Sequence, residues 1–164
     1  MRILLAGVAL ASLCAVALGP GTADGRERGA GSVDLGEALA VARDGKLVVA
    51  GLSRRGSLAG FALARYTADG ALDRSFGTGG KVLTSFGRGS YGGARSLAVR
   101  PDGKVVVAGG AAVPPRIYNG FAMARYTVAG KLDRTFGRNG KVLMYFGSRR
   151  GNVSNLAAIA IQAD

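Results

Sequence analysis

The chain has 164 residues and carries 22 Lys and Arg against 10 Asp and Glu, a formal charge of +12, with one Cys, no His and no Trp. With no His, and its one thiol at Cys14 near the start, a Ser-His-Asp triad, a disulfide framework and the usual zinc or copper site are excluded, so neither a metal nor a cofactor is expected. The cation excess, 17 Arg and 5 Lys, attracts polyanions unless it is only a compositional bias toward Arg.

The first residues read as an address rather than as fold. Met1 and Arg2 precede an apolar stretch over 3–18, and Gly19, Pro20, Gly21, Thr22 and Ala23 follow it. A basic start, an apolar centre and small residues before a cut describe a secretory signal peptide over residues 1–23, cleaved after Ala23. The stretch is short for a bilayer and ends in Gly and Pro, so no stable membrane span is expected after cleavage. Leu13 stands where a lipidated Cys14 would want a small residue, which argues against a lipid anchor. The expected location is secreted or cell envelope. The polyanions available there are acidic wall polymers, acidic polysaccharides and anionic headgroups, and nucleic acid is not expected as the partner.

Residues 24–34 (DGRERGAGSVD) are polar and Gly-rich and read as a linker. Beyond them, short apolar runs alternate with Gly and Asp turns, the pattern of an all-β protein. The first unit, 35–92, holds four expected strands at 37–42, 46–51, 61–67 and 81–86. The second, 93–152, holds four more at 94–100, 104–109, 121–127 and 141–146. Residues 153–164 repeat only the first strand of a third. Asp44-Gly45 and Asp102-Gly103 each separate two apolar runs, which predicts a tight primed hairpin turn because Gly supplies the positive φ. In the third strands, Phe61, Leu63 and Arg65 fall on one side and Ala62, Ala64 and Tyr66 on the other, so that Arg65 and Arg125 interrupt an apolar face.

The strings FALARYTADGALDRSFGTGGKVLTSFG (61–87) and FAMARYTVAGKLDRTFGRNGKVLMYFG (121–147) lie 60 positions apart without a gap and agree at 18 of 27 positions. Self-similarity at this period, with four short strands per unit, points to a propeller-like array of antiparallel blades. The motifs F-A-[LM]-A-R-Y, G-x-L-D-R-[ST]-F-G, G-K-V-L and D-G-K-[LV]-V-V-A-G, in that order, resemble the delta-60 repeat, a bacterial domain assigned to beta-propellers. The resemblance covers nearly all of 35–164. It implies architecture and no established activity. Propellers close with about four to eight blades, so about two blades and one further strand make an incomplete ring, whose remaining blades would come from self-association or from a longer chain.

The repeat also sorts the candidate residues. Asp69 and Asp73 could begin a calcium loop, but Asp69 becomes Ala129, and a hard cation needs six or more oxygens. Asp73 and Asp133 therefore read as turn formers bonding to backbone N–H groups, as do Asp44 and Asp102. Recurring Tyr66 and Tyr126, with Phe76, Phe86, Phe136 and Phe146, read as core or inter-blade packing. Tyr91 and Tyr118 do not recur and fall in expected loops, which makes them ligand candidates. Asn152-Val153-Ser154 fits a glycosylation sequon.

In an up-and-down blade, the connections from strand two to three and from strand four to the next blade emerge at one end. Those connections hold Arg54, Arg55, Arg88, Arg116, Arg149 and Arg150 and no acid, whereas the opposite end mixes Asp with Lys and Arg. Arg can grip carboxylate, phosphate or sulfate oxygens in pairs. The sequence thus reads first as a non-enzymatic binding or scaffold module for an anionic extracellular polymer or a partner protein. A fragment of an extracellular propeller enzyme acting on polysaccharide, and a structural adhesin, are the alternatives.

Overall fold

The structure, a computed structural model, describes residues 33–55, 58–115, 120–145 and 158–161. The first blade is built from β1 (Val33–Val41), β2 (Leu47–Arg55), β3 (Leu58–Tyr66) and β4 (Lys81–Thr84), and the second from β5 (Tyr91–Val99), β6 (Val105–Ala112), β7 (Gly120–Tyr126) and β8 (Lys141–Met144). Each blade is an antiparallel sheet in sequence order. The expected all-β array of propeller blades is therefore what forms, with neither sheet closed on itself.

β1, β2, β3, β5 and β6 extend beyond their expected limits at one end of the blades, whereas β4 and β8 stop at Thr84 and Met144, short of the expected 86 and 146. β2 runs on to Arg55 and pairs with β3 up to Arg55↔Leu58, so Arg54 and Arg55 stand in a ladder where a loop was expected. β1 follows β2 to the same end, which takes Val33 and Asp34 out of the expected linker and pairs them with Arg54 and Ser53. The hairpin turns also differ from expectation. Ala42 N–H bonds Lys46 O, and Gly45 N–H bonds Ala42 O, while only Gly45, at φ 77°, lies in the left-handed region. This is a three-residue loop with the Gly in a bulge, the geometry that Arg-Asp-Gly favours over a two-residue primed turn. Arg100 to Lys104 repeats it.

Each inner strand carries a β-bulge, between Gly36 and Ala38 in β1 and between Ala94 and Ser96 in β5. The bulges leave Glu37 and Arg95 exposed and bring strand-one carbonyls against β2 and β6. A Cβ on Gly51 would lie 1.7 Å from Leu35 O, and one on Gly109 2.0 Å from Gly93 O. The Gly that ends each V-V-A-G motif is thus dictated by its neighbour's bulge.

The blades pack face to face, with β5 against β1, β2 and β3. Val48, Ala50, Phe61, Leu63 and Phe76 of the first blade form one buried cluster with Leu97, Val105, Val107, Ala122, Ala124 and Tyr126 of the second. The small Ala side chains let the sheets approach, and the large Phe and Tyr fill between them. Tyr126, fully buried, bonds Thr84 Oγ1 at 2.8 Å across the joint. Residues 158–161 form no strand, and Ile159 N–H bonds Ser96 Oγ at 3.0 Å.

Candidate functional site

Two sets of polar residues could serve a function, one inside the blades and one at their Arg-bearing end. The inner set starts on β3, where Arg65 interrupts the apolar face of Phe61 and Leu63 and is itself buried there, 6% exposed. Its Nε bonds Asp73 Oδ2 at 2.9 Å, its Nη2 bonds Ser75 Oγ at 3.1 Å, and its Nη1 crosses to Val128 O of the second blade at 2.6 Å. The guanidinium also lies 4.6 Å from the Phe76 ring centre, so its planar face is covered while its edge meets three acceptors.

Asp73 receives the Ser75 hydroxyl at 2.6 Å and the Ser75 N–H at 3.1 Å, with Lys46 Nζ 3.4 Å away. The Ser75 hydroxyl bond, then the Ser75 N–H, Arg65 and Lys46, bring the Asp73 pKa down to about 2 against the opposing effect of burial. The second blade repeats the arrangement with Arg125, Asp133, Thr135 and Lys104, and the Thr135 hydroxyl and Lys104 hold Asp133 well below the usual carboxylate range. A carboxylate held ionised by a cation and a hydroxyl is a poor proton carrier. Both sets fasten the L-D-R-[ST]-F-G turn to the blade, the turn-forming role expected of Asp73 and Asp133. Asp44 and Asp102 likewise accept the N–H of Lys46 and Lys104 at 3.2 and 3.1 Å within their hairpins.

Tyr126 packs between the blades, and burial pushes its phenol above the ordinary value. Tyr66, at the same register position on β3, faces away from the second blade and is only half-buried. Its phenol is raised as well, again by burial.

At the Arg-bearing end, β4 passes to β5 through a turn that Ser85 and Ser90 organise. Their hydroxyls lie 2.9 Å apart, and Phe86 N–H bonds Ser90 Oγ at 3.2 Å. The turn rests on the segment after β6, where a Cβ on Gly87 would come within 2.9 Å of Val113. Arg88 projects from this turn and is exposed, as is Arg54 at the end of β2. Tyr91 stands 53% exposed at the start of β5, opposite Ala112, and so belongs to a strand and not to a loop. Arg55 closes β2, whereas Arg116, Tyr118, Arg149 and Arg150 lie outside the described residues, as does the sequon. Asp34 adds an acid to this end, because its pairing with Ser53 sets it beside Arg54. Arg95, at the bulge of β5, is a further exposed cation that sequence reasoning missed. Its signal was the break in alternation at G-A-R-S.

The opposite end mixes Asp with Lys and Arg. A cleft of about 280 Å³ between the two hairpins is lined by Arg43, Asp44, Lys46, Arg65, Arg100 and Asp102. Lys46 Nζ lies 3.3 Å from Asp44, and Arg100 Nε lies 3.4 Å from Asp102, an ion pair too poorly aligned for a hydrogen bond. Among the described residues no three His, Cys, Asp or Glu side chains gather to hold a metal ion, and no helix is long and apolar enough to cross a membrane.

A family described as a domain of unknown function (DUF5122) beta-propeller matches residues 42–76 and 100–136. Each matched stretch runs from the D-G-K hairpin through two strands to the turn that the Arg–Asp pair secures. No curated protein matches the chain.

Proposed function

Because the chain belongs to the DUF5122 beta-propeller family, the delta-60 type of repeat, we propose that it is an exported, non-enzymatic binding module whose Arg-bearing blade end takes an anionic polymer. The observation that carries this reading is the placement of exposed Arg side chains on a strand end and an adjoining turn at one end of the blades. Arg54 near the end of β2 and Arg88 in the turn from β4 to β5 are both exposed there, with Asp34 as the acid among the described residues of that end. Several Arg on strand ends and turns of rigid sheets offer guanidinium groups at fixed spacing to carboxylate, sulfate or phosphate groups along a polymer. Tyr91 adds an exposed aromatic surface beside them.

Retention on dextran sulfate tests the reading, with two triple variants of equal charge compared. Replacing Arg54, Arg55 and Arg88 by Ser is expected to lower the eluting salt concentration markedly. Replacing Arg74, Arg134 and Arg138, exposed at the other end, is expected to lower it little. Equal losses in both variants would mean that net charge alone drives retention, and the assignment of a binding face would be abandoned.

A further inference from the structure

The joint between the two described blades has two different halves, and each blade presents the half that the other uses. The first blade meets the second with Phe61, Leu63, Arg65 and Thr84. The second blade meets the first with Leu97, Ala122, Ala124 and Tyr126. On the outer side of the first blade stand Leu39, Ala62, Ala64 and Tyr66, at the same register positions as the second blade's buried set. On the outer side of the second blade stand Phe121, Met123, Arg125 and Met144, at the positions of the first blade's buried set.

Exposure separates the equivalent residues. Leu39 is 57% exposed where Leu97 is 9%, and Met144 is 46% exposed where Thr84 is 5%. Val41 is exposed as well, so each blade ends in an apolar face of the kind that neighbouring blades cover. The polar groups are also left in complementary form. Arg65 Nη1 reaches Val128 O in the joint, and Gly77 N–H bonds Ala129 O. Arg125 keeps its bonds to Asp133 and Thr135, with no third bond of the Arg65 kind among the described residues.

We propose that a second copy of this chain docks head to tail, its first-blade face on Leu39 and Tyr66 against the second-blade face on Met123 and Met144. The docked pair repeats the internal joint, with Arg125 Nη1 taking Ala68 O and the Gly137 N–H taking Asp69 O of the other copy. These acceptors are backbone carbonyls, so the change from Val128 and Ala129 to Ala68 and Asp69 leaves them in place. Where Tyr126 finds Thr84, Tyr66 meets Met144 and gains an aromatic–thioether contact. Residues 158–161, held to Ser96 of β5, give way to the incoming β1, which packs on β5 as β1 does in the internal joint. A joint made of two unlike faces propagates in one direction and closes into a ring when the rotation permits.

The test blocks one face at a time at residues already exposed in the single chain, so that folding is spared. The purified protein is expected to sediment as an oligomer at micromolar concentration. Leu39→Glu and Met144→Glu, each alone, are expected to weaken association at least tenfold and sediment as single chains. Mixed in equal amounts they are expected to form one-to-one pairs and nothing larger, because each supplies the face the other has lost. A wild-type protein that remains a single chain overturns the proposal, as does either variant self-associating, or a mixture that does not pair. Circular dichroism of each variant establishes that the blades are intact.

Discussion

The buried bond between Tyr126 and Thr84 lets the joint between blades be measured directly. Tyr126 is wholly buried and Thr84 is 5% exposed, and their hydroxyls meet at 2.8 Å. Tyr126→Phe leaves the Thr84 hydroxyl buried without its partner, and Thr84→Val does the same to the phenol, each costing about 1–3 kcal/mol. Removing both hydroxyls at once leaves two apolar side chains of nearly the original volume, so the double variant should lose far less than the sum. The expected coupling is about 2 kcal/mol. Urea unfolding followed by circular dichroism gives the four midpoints, taken at one protein concentration so that association contributes equally to each. Additive losses, within about 0.4 kcal/mol, would show that the two hydroxyls do not support each other and that apolar packing alone holds the blades together.

Acid should weaken the blades through Asp73. Its folded pKa of about 2 lies below the ordinary carboxylate value of about 3.9, so its contribution to stability is complete above about pH 4 and is lost as the pH falls toward 2. Asp73→Asn should flatten the pH dependence of the urea midpoint in that window, and an unchanged slope would count against the Ser75 and Arg65 bonds as its cause. Gly109→Ala should cost about 3 kcal/mol or more, since its Cβ would press on the Gly93 carbonyl inside a ladder that cannot yield. Gly70→Ala, at a left-handed position with open space around it, should cost only about 1 kcal/mol. Thermal melts of the two variants compare the costs, and equal losses would contradict the bulge as the reason for glycine in V-V-A-G.

Much of the fold was legible because the repeat carries its own periodicity. A period-two strand such as F-A-L-A-R-Y and a turn such as R-D-G-K are local signals, and both appear where expected. The strand ends were less legible. Nothing local marks Val33 and Asp34 as strand, and they join β1 because β2 extends beside them to Arg55. Strand length here is a property of the pair. The partners of Arg65 were not legible for a related reason. A charged residue at the end of an apolar run resembles the edge of a face until Asp73, eight positions later, and Val128, in the next repeat, come into contact with it. The candidate binding face was legible in its arginines but not in its acid, because Asp34 reaches that end only through strand pairing.

The two unlike faces of a blade have a consequence for how such a chain can grow. Both halves of the joint are written in one stretch of about sixty residues, so copying that stretch in the gene adds a blade that already fits both the copy before it and the copy after it. Later divergence is less free. A change at Leu63 or Thr84 alters the joint with the following blade, and a change at Ala124 or Tyr126 alters the joint with the preceding one, so neighbouring copies must drift together. Thr84 and Met144 have already parted in this way, and a blade taken from one place in the order is no longer a perfect substitute for its neighbour.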